Sequence, residues 1–151
     1  MADVVDSETR SRMMAGIRNR NTRPEIHVRK LLHARGYRYR LGSTGIPGKP
    51  DIVLPKYRVV VFVHGCFWHG HQCEIFRWPK SNQKFWRTKI GGNMRRDQAN
   101  LDRLIREGWS VLTVWECVLR HSTESQIASK LDRASQWIRK VRKRPGRHTL
   151  G

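Results

Sequence analysis

At 151 residues the chain is long enough to bury one core of its own, and three cysteines, an odd number, exclude a disulfide-stapled scaffold. Its 31 Lys and Arg against 12 Asp and Glu give a formal net charge of +19 and a pI near 11.3, more than solubility requires, so a polyanion is the expected partner, nucleic acid first. No apolar run approaches the roughly 20 residues of a membrane span and nothing resembles a signal peptide, so a cytoplasmic location is expected, where cysteines serve metal or thiol chemistry.

The first element expected is a short basic helix from Ser7 to about Ile17, with Met13, Met14 and Ile17 on one side. A better marked helix follows. Thr22-Arg23-Pro24-Glu25 has the form of a capping box, Val28, Leu31 and Leu32 give an i, i+3, i+4 face, and Gly36 stands where a C-terminal cap belongs. Tyr37 to Leu41 alternates like an edge strand, and the Gly and Pro cluster from Gly42 to Pro50 predicts a loop. Asp51–Leu54 and Arg58–Val63 form an expected antiparallel hairpin turning at Pro55 and Lys56. Gly65 to Asn82 has neither period, yet holds two of the cysteines and much of the aromatic content.

Gln83 to Glu107 reads as a helix with Leu101, Leu104 and Ile105 on one face and a break at Gly91-Gly92. A strand from Trp109 to Glu116 and an amphipathic helix from Thr123 to Val141 complete the pattern. Residues 142–151 read as a basic, disordered tail. The order α, α, β, β, β, α, β, α predicts an α/β fold with a central mixed β-sheet flanked by helices. With Pro50-Asp51 opening a strand, it resembles the restriction-endonuclease-like nucleases.

Cys66, His71 and Cys73 share one loop and Cys117 follows a core strand; thiolates and an imidazole are what zinc selects, and four protein ligands make a closed, structural site. Spacing alone leaves His64 and His69 as rival fourth ligands, and three free buried cysteines as the bland alternative. Asp51, at the start of a strand beside a Gly-rich loop, suits a hard Mg²⁺ ion that polarises a scissile phosphate, although it also fits a simple turn residue. Nuclease sheets of this kind commonly carry an acid and a lysine on the next strand, whereas this one reads Val61-Phe62-Val63-His64; His69 or His64 is the candidate base in their stead. Glu25 is explained by capping, but a helix N-terminal carboxylate also faces an active-site metal in some enzymes. Asn93 and Asp97, four apart on one helix face, either orient a histidine or are a solvated pair. Phe67 and Trp68 inside the cysteine loop, and Phe85 and Trp86 beside Lys84, Arg87 and Lys89, offer DNA wedges; of these Trp68 reads as a DNA contact and Phe85 as core.

Taken together, Pro47-Gly48-Lys49-Pro50-Asp51, Val63-His64-Gly65-Cys66-Phe67-Trp68-His69 with His71 and Cys73, Phe85-Trp86, Lys89-Ile90-Gly91, Asn93 with Arg96-Asp97, and Val114-Trp115-Glu116-Cys117 resemble the very short patch repair (Vsr) endonucleases, from Ala2-Asp3 to about Arg120. The resemblance implies a Mg²⁺-dependent nickase acting on double-stranded DNA at a T:G mismatch left by deamination of 5-methylcytosine, cutting 5′ of the thymine, with mismatch-repair proteins as candidate further partners. It implies Asp51 and the Val63 carbonyl as Mg²⁺ ligands, His69 as base, His64 and Glu25 as supporting groups, and Cys66, His71, Cys73 and Cys117 on zinc. It also implies Phe67, Trp68 and Trp86 as an intercalating wedge, with Met14 and the N-terminal helix in the opposite groove. Residues 1–20 are then a DNA-contacting helix, 21–141 the nuclease domain and 142–151 the tail, in a monomer, since one mismatch lacks two-fold symmetry. Val63 lacks the hydroxyl often found there, and no motif is matched beyond His121. The alternatives are a nuclease with a different or relaxed mismatch preference, and a non-catalytic zinc-stabilised DNA-binding module.

Overall fold

The computed structural model describes residues 21–42, 45–141 and 144–151, and the N-terminal helix expected around Met14 lies outside them. Helix α1 (Arg23–Ala34) starts where the sequence places it: the Thr22 side chain accepts the Glu25 amide at 3.3 Å and Pro24 occupies the first turn, where its missing N–H costs nothing. The capping box is only half closed. Glu25 reaches past Thr22 to accept the Asn21 amide at 2.8 Å.

Strand β1 (Ile52–Leu54), a short 3-10 turn at Pro55–Tyr57, and strand β2 (Val59–His64) form the expected antiparallel hairpin, registered through Ile52 and Val61. The turn closes because Arg58 adopts a left-handed conformation with φ +52°. Ahead of it, the expected edge strand at Tyr37–Leu41 shrinks to one antiparallel bridge between Arg40 and Val53.

Helix α2 (Gln83–Arg106) is continuous through Gly91 and Gly92, correcting the expected break. Each glycine costs about 1 kcal/mol relative to Ala, but Trp86, Ile90 and Leu104 are buried along the length of the helix and hold it together. It leads to strand β3 (Ser110–Trp115), a short helix α3 (Glu116–His121), and helix α4 (Glu124–Lys140), whose Thr123 and Gln126 close a complete capping box.

The chain ends in strand β4 (Arg147–Leu150), which pairs in parallel with β3 and corrects the expectation of a disordered tail. Leu150 is buried, and the Gly146 amide donates to Ser110 Oγ at 3.1 Å. The density of basic residues around it hid a strand that has one core position.

The four strands stand in the order β1-β2-β3-β4, with β2 and β3 parallel, a mixed sheet between helices. Period-two alternation assigns the faces. Val59, Val61, Leu112 and Val114 pack with Val28 and Leu32 of α1 and Ile127, Leu131 and Ile138 of α4, while Val60 and Val111 pack with Leu104 of α2 on the other side. Burying each such side chain contributes about 1.5–3 kcal/mol. This frame carries the start of β1, the end of β2 and the middle of α2 to one end of the sheet.

Candidate active site and metal centre

Asp51 immediately precedes β1. Its amide donates to the Val61 carbonyl at 3.0 Å, and its Oδ2 accepts the Val63 amide at 2.7 Å, so the carboxylate is tied to the end of β2. Lys49 and Gly48, with φ of +50° and +79°, make the turn that leads into it, and a Cβ at Gly48 would press on Asn100 and Phe62. Glu25 is 2% exposed and faces the same place from the first turn of α1, where it also accepts from Arg29 at 3.2 Å. Burial, joined by the charge and hydrogen bonding of Glu25, pushes the Asp51 carboxyl up to about 7 against the pull of the Val63 amide. Two buried carboxylates that repel each other suit a hard divalent cation, which relieves both penalties at once.

Across the cleft lies a histidine pair. The His64 and His69 rings stack with centroids 3.8 Å apart and planes 20° apart, and His69 Nδ1 meets Asp97 Oδ2 at 2.5 Å. Burial first, then the neighbouring His69, holds His64 down at about 3, so its ring is neutral. A carboxylate on Nδ1 favours the tautomer of His69 with its proton on that nitrogen, which leaves Nε2 as the acceptor, an arrangement suited to general-base chemistry. Asp97 is the contact the His69 ring makes through Nδ1. Asn93 does something else: its Nδ2 donates to the Trp68 carbonyl at 2.8 Å and pins the loop one residue before His69. The cleft, about 580 Å³, is bordered by Glu25, Lys49, Asp51, His64, His69 and Lys89, among others.

Cys66, His71, Cys73 and Cys117 place their ligand atoms within 4.8 Å of one another. His64 and His69 fall with Asp97 in a separate group of close-lying donor atoms. Cys117 Sγ and His71 Nδ1 are 3.7 Å apart; a tetrahedral ion with zinc-like bond lengths gives an S···N edge of about 3.5 Å. Burial pushes the Cys66 thiol up to about 12, with the neighbouring thiols adding to it, and burial also raises Cys117. Burial acts upward on Cys73 too, but is outweighed by the Ile75 and Phe76 amides and the adjacent thiols, leaving it lowered. Three thiols crowded around one imidazole have a use as thiolates on a soft or borderline cation, and the donor set fits one.

Gly70 separates His69 from His71, and its φ of +65° turns one toward each cluster. A Cβ there would lie 2.5 Å from Met94 Sδ and 3.0 Å from Ile90 Cγ2. Trp115, at the end of β3, joins the two clusters: it stacks on His71 (4.2 Å, 8°) and lies 5.2 Å from the His64 ring. Sequence reasoning missed it, because an aromatic closing an apolar strand reads as core. Its place in the Val114-Trp115-Glu116-Cys117 stretch, near Cys117, was the hint otherwise.

Phe67, Trp68 and Trp86 form a cluster of edge-to-face contacts at 5.2–5.8 Å. Trp86 is its base, 8% exposed, while Phe85 is 55% exposed. The assignment of Phe85 to the core is thereby corrected. Trp86 and Ile90, four apart, take the inward face of α2 and leave Phe85 outside.

A family model described as DNA mismatch endonuclease Vsr matches residues 2–75 of the chain. The DNA mismatch endonuclease Vsr of Escherichia coli (strain K12) is 43% identical over 138 residues, covering 91% of this chain and 88% of that protein. The type II nicking enzyme V.XorIIP of Xanthomonas oryzae pv. oryzae is 48% identical over 134 residues, 87% of this chain and 98% of that enzyme, and V.NmeAIP of Neisseria meningitidis is 47% identical over 121. An alignment of 138 residues extends past His121, where sequence motifs alone had ended the likeness.

Proposed function

The chain belongs to the Vsr family of DNA mismatch endonucleases, and from that premise we propose that it is a Mg²⁺-dependent nickase that cuts one strand 5′ of the thymine in T:G mismatches arising from 5-methylcytosine deamination. The observation that carries this reading is the convergence of Asp51 and Glu25 with the Asp97–His69–His64 array on one cleft. The mixed sheet bearing Asp51 at a strand end supports a restriction-endonuclease-like architecture.

Asp51 and the Val63 carbonyl would hold Mg²⁺, with Glu25 supporting it; the ion supplies charge neutralisation at the scissile phosphate. His69 Nε2 takes the proton of the attacking water as that oxygen bonds to phosphorus, the P–O bond to the departing sugar oxygen breaks, and that oxygen takes a proton from solvent. Asp97, on Nδ1, holds the ring in the required tautomer and stabilises the imidazolium that forms. His64, neutral and stacked on His69, limits the ring to one orientation. Lys49 and Lys89 border the cleft and favour the phosphate backbone.

Cys66, His71, Cys73 and Cys117 suit zinc in a closed structural site that braces the loop carrying Phe67, Trp68 and His69. Those rings, with Trp86 beneath, would enter a base step beside the mismatch and open the duplex. Residues 1–20, with Met14, would reach the opposite groove.

The test is a strand-resolved nicking assay with Mg²⁺ on duplexes carrying T:G, U:G, G:G or only paired bases. Preferential cleavage 5′ of the T supports the proposal. Equal cleavage of paired and mismatched duplexes would replace it with a nuclease of relaxed preference.

A further inference from the structure

Trp78 lies in the loop before α2 and is 40% exposed, an uncommon place for an indole without a partner to meet. Its surroundings are built. The Arg87 guanidinium sits over the ring 4.5 Å from its centroid, and the ring meets Phe76 edge-on at 5.0 Å. Phe76 in turn stacks on Phe67 at 6.1 Å, so ring contacts run unbroken from the wedge cluster to Trp78. Among the described residues, the indole is the one partner of the Arg87 side chain, which leaves its N–H groups free to donate.

The charge along this stretch of the chain has one sign. From residue 75 to residue 96 the chain holds Arg77, Lys80, Lys84, Arg87, Lys89, Arg95 and Arg96 and no Asp or Glu. A guanidinium held over an indole face loses less freedom when it forms hydrogen bonds than a solvated one, and its fork matches a phosphate. We propose that Trp78 and Arg87 form a second DNA contact, continuous with the Phe67–Trp68 cluster, in which Arg87 clamps a backbone phosphate flanking the nick site and the exposed part of Trp78 packs on the adjoining deoxyribose. The duplex is favoured over an acidic protein because the platform continues the ring array assigned to DNA, and the inference rests on that assignment.

The experiment uses the full chain without Mg²⁺, so that the substrate stays intact, and measures binding to labelled T:G and fully paired duplexes across a salt series. The variants are Trp78→Ala, Trp78→Phe, Arg87→Ala, the Trp78→Ala/Arg87→Ala pair, and Arg139→Ala, an exposed cation of α4 on the opposite side of the sheet, as control. Trp78→Ala and Arg87→Ala should each weaken binding about fivefold, and the pair little more than either, because one platform is lost. Arg87→Ala should flatten the slope of log K against log salt by about 0.9. Trp78→Phe should restore most of the loss, which also separates loss of contact from misfolding.

A phosphate contact carries no base information, so the losses should be the same on both duplexes. A wild-type protein that binds both duplexes alike would remove the mismatch reading while leaving this one standing. If Trp78→Ala binds like wild type, and Arg87→Ala loses no more than Arg139→Ala, the platform is not a DNA contact, and an acidic protein becomes the occupant to seek.

Discussion

Replacing Asp51 by Asn should stabilise the Mg²⁺-free protein while abolishing its chemistry. Asn keeps an oxygen to accept the Val63 amide at its present 2.7 Å and removes the charge that faces Glu25. The folded-state carboxyl is raised from 3.8 to about 7. The folded protein therefore holds a proton that the unfolded chain has released, and wild-type stability is present in full below pH 3.8 and lost progressively as pH rises through about 7. A displacement of about three units corresponds to at most about 4 kcal/mol, and incomplete burial brings the expected gain at pH 8 to roughly 2 kcal/mol. His64, held at about 3, acts in the opposite sense, losing stability as pH falls below 6.5, but it is common to both proteins and cancels in the difference. Urea unfolding at pH 5 to 8 in Mg²⁺-free buffer without chelator, which would strip the cysteine site, measures it. The advantage of Asp51→Asn should grow with pH. A variant less stable than wild type at pH 8, or a pH-independent difference, would refute the reasoning that Asp51 is strained by burial and Glu25.

Asp97→Asn should lower the single-turnover nicking rate by about a hundredfold or more with DNA affinity little changed, because an amide does not fix the His69 tautomer as a carboxylate does; an unchanged rate would remove Asp97 from the mechanism. Gly70→Ala combines a left-handed backbone with collisions at Met94 and Ile90 and should cost about 2 kcal/mol or more in chemical denaturation. Freshly purified protein should carry about one zinc per chain; less than about half an equivalent would contradict the structural site, and Cys73→Ser should lower both metal content and Tm. Deleting residues 147–151 removes buried Leu150 and uncovers the β3 edge and the Trp115 ring, so the denaturation midpoint should fall although no candidate ligand is removed.

Much of the scaffold is legible because local rules and tertiary packing agree. Thr22, Pro24 and the Val28–Leu32 face mark α1, and Val59 to Val63 cannot be other than a buried strand once Pro55 and Arg58 turn the chain. The metal donors are legible as a chemical type, but their partition is not: His64 and His71 are alike in sequence, and only the left-handed turn at Gly70 and the stacking on Trp115 sort them. What escaped depends on distant pairing. Strand β4 is a strand because β3 offers it a parallel edge and a site for Leu150, while its own residues are mostly polar or basic. Helix α3 is too short to show a period. Gly91-Gly92 failed as a break because buried residues on both sides hold α2 through it. Phe85 and Trp86 are adjacent aromatics whose faces are decided by the phase of α2, and counting from Ile90 was the one available signal.

The most direct test of the account compares wild type and Asp51→Ala in single-turnover nicking of a T:G duplex with and without Mg²⁺. The account predicts cleavage 5′ of the thymine by the wild type with Mg²⁺ alone, and loss of about a thousandfold or more in the variant, whose DNA binding persists. Equal nicking by the two proteins, or undiminished nicking without the metal, would contradict it.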